Sequence, residues 1–211
     1  MPHISTPFLI EAALKALVLL FSIVVHEVAH GYIALRNGDP TAKMLGRLTL
    51  NPIPHIDPIG SVLLPLLLLA SGSGILFGWA KPVPVNPLNY RNYRWGEITV
   101  SAAGALSNLA LAVLFAYILR LGPANLGLMK LALWGVQINI FLALFNLIPI
   151  PPLDGSHILA ILLPRDLARL YAYLEPVGFI LILVLFYTGI MGIFLMPLYR
   201  LIASFLLGLS Y

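Results

Sequence analysis

Residues 21–35 read FSIVVHEVAHGYIAL. Three ionisable side chains, His26, Glu27 and His30, stand inside an otherwise apolar run. An isolated charge or unpaired polar group in an apolar medium is costly, so these three need partners or a shared task. On a helix, residues four apart lie one turn above each other on one face, so the two imidazoles can reach one metal ion. Glu27 sits about 100° round the helix from His26, beside such an ion rather than on it. From there it can take a proton from a water on the metal. Histidines satisfied by other polar groups in a helical core are the simpler reading for one such residue; the full triplet weighs against it.

The surrounding composition sets the medium. Of 211 residues, 60% are hydrophobic and 9% charged, with a mean hydropathy of +0.97. A water-soluble domain carries about 25% charged residues, so this chain lacks the polar surface to face water on all sides. Apolar runs recur at 8–25, 59–70, 98–119, 131–148 and 177–196. Several approach the ~20 residues that cross a bilayer as helix. The expectation is an all-α polytopic membrane protein with about 4–6 transmembrane helices, forming one integral-membrane domain over 1–211. The absence of cysteine excludes disulfides and thiolate metal sites. The net charge of +4 rests on basic residues scattered between apolar spans, a pattern of topology signals rather than of nucleic-acid binding. The first apolar run has no basic leader and no small-residue cleavage site, so it reads as a retained helix.

The first helix is expected over 8–36, stopped by Asn37-Gly38. A polar, proline-rich loop follows over 38–58. Residues 59–76 are apolar but interrupted by Pro65 and closed by Ser71-Gly72-Ser73-Gly74, which suits a re-entrant segment. Residues 79–95 alternate proline with valine and end in aromatics and arginines, predicting a short extended or β region at the membrane interface. Its first part, 79–87, could offer an edge for an unwound peptide. Further helices are expected at 97–120, 128–148 and 174–195, with 197–209 short for a crossing.

A catalytic zinc needs a third protein ligand and one open position. His3, His55, Asp57, Asp154, His157 and the glutamates 11, 97 and 175 are the candidates. In FNLIPIPPLDGSHIL, residues 145–159, an apolar helix breaks at three prolines and presents Asp154 followed by Gly155. Broken helices at membrane depth are tolerated where they line a cavity, although Asp154 could equally cap the next helix. Residue chemistry alone divides the choice between Asp154 and the His55/Asp57 pair.

Topology offers a test. His26 lies ~27 Å along a helix starting near Phe8, close to the far side of a bilayer. Asp154 emerges on that side only if 59–76 dips in and returns. Under that path Arg36, Lys43, Arg47, Lys81, Arg91, Arg94, Arg165 and Arg169 share the metal side, while Arg120 and Lys130 face the other. Basic loops face the cytoplasm. The site is therefore expected near the cytoplasmic face of the cell membrane, with the N-terminus outside, and Asp154 is favoured.

At HEVAHG, SAAGALSNLAL and FNLIPIPPLDG, in that order, the chain resembles the site-2 protease family, intramembrane metalloproteases of the M50 type. The likeness covers most of 20–160. It implies His26, His30 and Asp154 as ligands of one zinc ion per chain, Glu27 as catalytic base, and substrate contacts for Asn146 and Asn108. It also implies cleavage of membrane proteins within a transmembrane helix, by a minimal form without PDZ or CBS domains. Ala105 departs from the family, where Gly-Pro is usual. On residues alone the asparagines could simply hydrogen-bond between helices, worth about 0.6 kcal/mol on average. Membrane histidines and carboxylates also mark ion pathways, so a metal-ion transporter or a catalytically silent metal-binding scaffold are the alternative functions.

Overall fold

The first apolar run folds as one uninterrupted helix, α1 (Thr6–Asn37), in a computed structural model that describes residues 6–63, 67, 80–122 and 125–208. Asn37 closes α1 by donating from Nδ2 to the Ile33 carbonyl (2.9 Å) and to Thr99 Oγ1 (3.0 Å). A short α2 (Thr41–Met44) follows, then a 3₁₀ turn at Ile53–His55 and a π-helical turn at Pro58–Leu63. The long helices α3 (Tyr93–Arg120) and α4 (Leu126–Asn146) each start at an asparagine whose side chain accepts from first-turn amides, Asn92 from Trp95 and Asn125 from Gly127 and Leu128. Such caps satisfy donors that a helix start leaves unpaired. The chain ends in α5 (Asp154–Leu162), α6 (Arg165–Ala172), α7 (Gly178–Tyr187) and α8 (Ile190–Leu207). Residues 10–37 of α1, together with α3, α4 and α8, form four helices long and apolar enough to cross a membrane. This is the architecture of a multi-pass membrane protein.

Three of these helices build the site. Asn37 meets Thr99, His30 meets Val100 and His26 meets Asn108, so α3 runs antiparallel to α1. Ser22 meets Asn139 and the Lys15 ammonium lies over the Trp134 ring (4.9 Å), so α4 runs parallel to α1. The end of α4 therefore returns to the level of the histidines. The main apolar core joins Ala112, Phe115 and Ala116 of α3 to Val136 and Ile140 of α4 and Leu195 and Ala203 of α8. Alanines at these positions let the helix backbones approach closely, which is how helices associate in lipid.

The structure departs from the expected elements in two places. The helix expected over 174–195 is divided, because Gly189 stands at φ +76 between α7 and α8. Glycine enters this left-handed region without a Cβ penalty, and the helix stops there. Conversely, α8 runs on through Pro197 and makes one long helix of residues expected to be short for a crossing. The second departure is the extended region, since 80–86 forms no strand. Pro82 and Pro84 have no N–H. The amides of Lys81, Val83 and Asn86 donate to the His55 carbonyl (2.9 Å), Glu27 Oε2 (2.7 Å) and Asp39 Oδ2 (2.7 Å). With these donors committed inward, the segment has little left to join a β-ladder or to serve as the expected edge.

Most of the segment expected to be re-entrant over 59–76, namely 64–66 and 68–76, lies outside the described residues, as do 77–79 and His3. Its flanks are described. The Arg91 N–H donates to the Asn37 carbonyl at 2.8 Å, so 38–90 leaves and returns at one end of α1.

Candidate metal centre

The inward face of α1 and the start of α5 bring His26, His30 and Asp154 together. The two histidine Nε2 atoms lie 3.0 Å apart. Asp154 Oδ2 is 3.2 Å from one and 3.3 Å from the other. A tetrahedral zinc site with bonds of ~2.0–2.2 Å places neighbouring ligand atoms about 3.3–3.6 Å apart, a little wider than these edges. Asp154 Oδ2 is buried and aligned for a hydrogen bond with neither imidazole. That orphaned oxygen suits a cation at the shared point. The donor set therefore fits zinc.

The far side of each imidazole is fixed. His26 Nδ1–H donates to Asn108 Oδ1 (2.7 Å), and His30 Nδ1–H donates to the Val100 carbonyl (2.7 Å). Both bonds leave the Nε2 lone pair for a metal. Asn108 in turn donates to the Ser22 carbonyl (3.2 Å) and Asn139 Oδ1 (2.9 Å), and Asn139 donates to Ser22 Oγ (2.8 Å) and the Gly135 carbonyl (2.8 Å). Ser22, Asn108 and Asn139 are fully buried. A polar network satisfied at every member is rigid, and in an apolar interior any missing partner is costly. On the other side α3 approaches the rings at Gly104, where a Cβ would lie 2.4 Å from His26 Cε1 and 2.5 Å from His30 Nε2. Glycine is the residue that fits there.

The remaining expected residues divide. Glu27 and Asn146 line one cavity of about 420 Å³ with the three ligands. Glu27 Oε2 accepts from the Val83 N–H (2.7 Å), and Asn146 Nδ2 donates to the Leu142 carbonyl (2.9 Å). Asn108, expected to contact substrate, is fully buried, is not among the residues lining that cavity, and accepts from His26. His55 and Asp57 are not part of the cluster. His55 is fully buried with Nε2–H donating to the Thr49 carbonyl (3.0 Å), and Asp57 Oδ1 accepts from the Ile59 and Gly60 amides. Sequence reasoning missed the Glu97–His157 pair on the cavity wall, 3.5 Å apart. The Glu97 carboxylate raises the His157 pKa, against the opposing effect of burial. It also missed Ser22 and Asn139. A signal was present, because a serine four residues before His26 and an asparagine in mid-helix are polar groups in apolar spans.

A class follows from this geometry: a helical membrane protein whose first span carries an H-E-x-x-H that, with a distant aspartate, forms a group able to hold a metal ion. Residues 122–185 match the model of peptidase family M50. The chain is 42% identical over 191 residues to YwhC of Bacillus subtilis, covering 85% of this chain and 83% of the relative, which is provisionally named a zinc metalloprotease. It is 35% identical over 172 residues to Rip2 of Mycolicibacterium smegmatis (80% of this chain, 64% of the relative) and 35% identical over 179 residues to Rip2 of Mycobacterium tuberculosis (79% and 64%), both with the same provisional name. No solved structure matches the chain. The chain belongs to peptidase family M50, the site-2 protease family.

Proposed function

We propose that this protein is a zinc metalloprotease that cuts membrane proteins within their membrane-spanning helices. One observation carries the reading: three ligand atoms converge to within 3.0–3.3 Å of one another beside Glu27, in a bundle of apolar helices. His26, His30 and Asp154 hold one zinc ion per chain. Bound there, zinc acidifies water towards a pKa of ~7 and polarises a carbonyl.

The protein's own groups do the rest. Glu27, with Oε2 fixed by the Val83 amide, takes a proton from the attacking water and delivers it to the leaving amine as the C–N bond breaks. Asn146 uses one amide hydrogen on Leu142 and has a second for the substrate oxygen as charge builds on it. Asn108 fixes the orientation of His26. The substrate helix unwinds locally, because an intact helix keeps its carbonyls bonded within the turn. The domain spans 1–211 in the lipid bilayer, with 59–76 re-entrant, the site near the cytoplasmic face and the N-terminus outside. The sorting of basic residues supports that orientation, and the bond between Arg91 and Asn37 supports the re-entrant path.

The test is cleavage of a single-span membrane protein in liposomes by wild type and by Glu27→Gln. The variant is expected to retain about one zinc per chain and lose activity by roughly 10²–10⁴-fold. Zinc flux across the liposomes without cleavage by wild type would instead identify a transporter, and zinc binding with neither activity a scaffold.

A further inference from the structure

The sequence NGDPTAK, residues 37–43, has no place in the chemistry above, yet its aspartate accepts four hydrogen bonds. Asp39 is fully buried. Its Oδ1 accepts from the Thr41 N–H (3.1 Å), the Thr41 hydroxyl and Asn89 Nδ2 (2.8 Å), and its Oδ2 accepts from the Asn86 N–H (2.7 Å). A buried carboxylate is tolerated only with such a set of donors. Two of the four come from the strap 81–91, the stretch that passes beside the metal centre.

The strap is tied along its length. Arg47 Nη2 donates to the Lys81 carbonyl (2.9 Å) and the Pro82 carbonyl (3.3 Å) at one end, and the Arg91 amide bonds Asn37 at the other. Between these ends the attachments of the backbone are Val83 to Glu27 and Asn86 to Asp39. Two residues, Pro84 and Val85, separate Val83 from Asn86, and Pro84 stiffens the path between them by fixing its φ. A shift at Asn86 is therefore passed to Val83, and from its N–H to the Glu27 carboxylate.

We infer that Asp39 is a positioning residue for Glu27, acting through the strap 81–91. The inference rests on Glu27 being the base. Proton transfer requires reacting atoms held within tenths of an ångström, and a misplacement of ~1 Å can cost about 100-fold.

The test uses the full chain in liposomes, with Asn89→Ala, Asp39→Asn and Asp39→Ala beside wild type and Glu27→Gln. Asn89 is exposed, and its truncation removes one strap donor to Asp39 with no buried cavity. Asn89→Ala is expected to lower kcat about 10-fold and Asp39→Ala about 100-fold, with KM within about twofold of wild type and zinc content unchanged. Asp39→Asn keeps an acceptor for Asn89 but loses one for an amide, so it falls between them. In all three, with or without zinc, amide exchange is expected to quicken over 81–86, where the exchanging amides are Lys81, Val83, Val85 and Asn86. Unchanged exchange over 81–86 in Asn89→Ala, or quicker exchange with unchanged kcat, overturns the inference. So does loss of zinc together with quicker exchange throughout α3 and α4, which marks a general structural role. If the Asp39 variants fail to fold, Asn89→Ala decides. Failure of the functional reading is distinct: wild type then cleaves nothing, or Glu27→Gln cleaves as wild type does.

Discussion

His26 and Glu27 are neighbours on one helix, but the molecule holds them by different means. His26 is clasped between helices, with Nδ1 on Asn108 and its ring against Gly104. Glu27 takes its hydrogen bond from a loop, the Val83 N–H of the strap. Side chains locked within packed helices hold a geometry closely, whereas loops move more and adapt. On the proposed function, His26 is a zinc ligand and Glu27 the base. The difference places the ligand half on the bundle and the base half on a segment tied down at a few points.

Substitutions can break each half separately. The largest effect is expected from Asp154→Ala, which removes a ligand outright: zinc falls below ~0.1 per chain by metal analysis and cleavage is lost, while far-UV circular dichroism stays unchanged. Gly104→Ala attacks only the ligand half. Alanine in a helix interior is favoured over glycine by about 1 kcal/mol. Here its Cβ overlaps both imidazoles, so zinc affinity is expected to fall roughly 10–100-fold in a chelator competition, even if the helix is stabilised. Asn108→Ala loosens the same half from behind. It should weaken zinc about 10-fold and lower the thermal midpoint, because His26 Nδ1 and Asn139 lose a buried partner at about 1–3 kcal/mol.

The smallest effect is a pH dependence of the strap. Burial pushes the Asp39 pKa up, but its hydrogen bonds from Thr41, Asn86 and Asn89 outweigh that and hold it below the ordinary aspartate value. A depressed folded pKa means that Asp39 contributes stability above the unfolded value of ~3.9, and that this is lost as the pH falls towards the folded one. Thermal midpoints measured from pH ~5 down to ~3 should therefore drop more steeply for wild type than for Asp39→Asn. Amide protection over 81–86, with exchange taken relative to the intrinsic rate at each pH, should fall in acid before protection in α3 does. The reverse order would erase the contrast between the two halves.

Legibility followed the same division. Helical periodicity aligned His26 with His30 from sequence alone, because spacing along a helix dictates direction. Asp154 was open on residue chemistry, since His55 and Asp57 offered equally good donor atoms. The direction in which helices run set it apart, and the parallel course of α1 and α4 is what brings it back to the histidines. The breaks at Gly189 and the continuation through Pro197 depend on local backbone and on neighbouring helices, which single-residue signals weigh poorly. The strap was least legible. Its prolines and valines suggested strand, but its amides are claimed by His55, Glu27 and Asp39. Such long-range claims leave no periodic trace in the sequence.

Gly155 carries a consequence of its own. A Cβ there would lie 2.1 Å from the Leu147 carbonyl oxygen and 2.4 Å from its carbon, so the first turn of α5 sits directly on the end of α4. The Tyr171 hydroxyl, donating to the Pro149 carbonyl (2.9 Å), braces the same corner from α6. Asp154 therefore travels with α4 as one piece. On the proposed function, a peptide entering the cavity would meet a fixed anvil on that wall, and the clearance for its backbone would come from the opposite one.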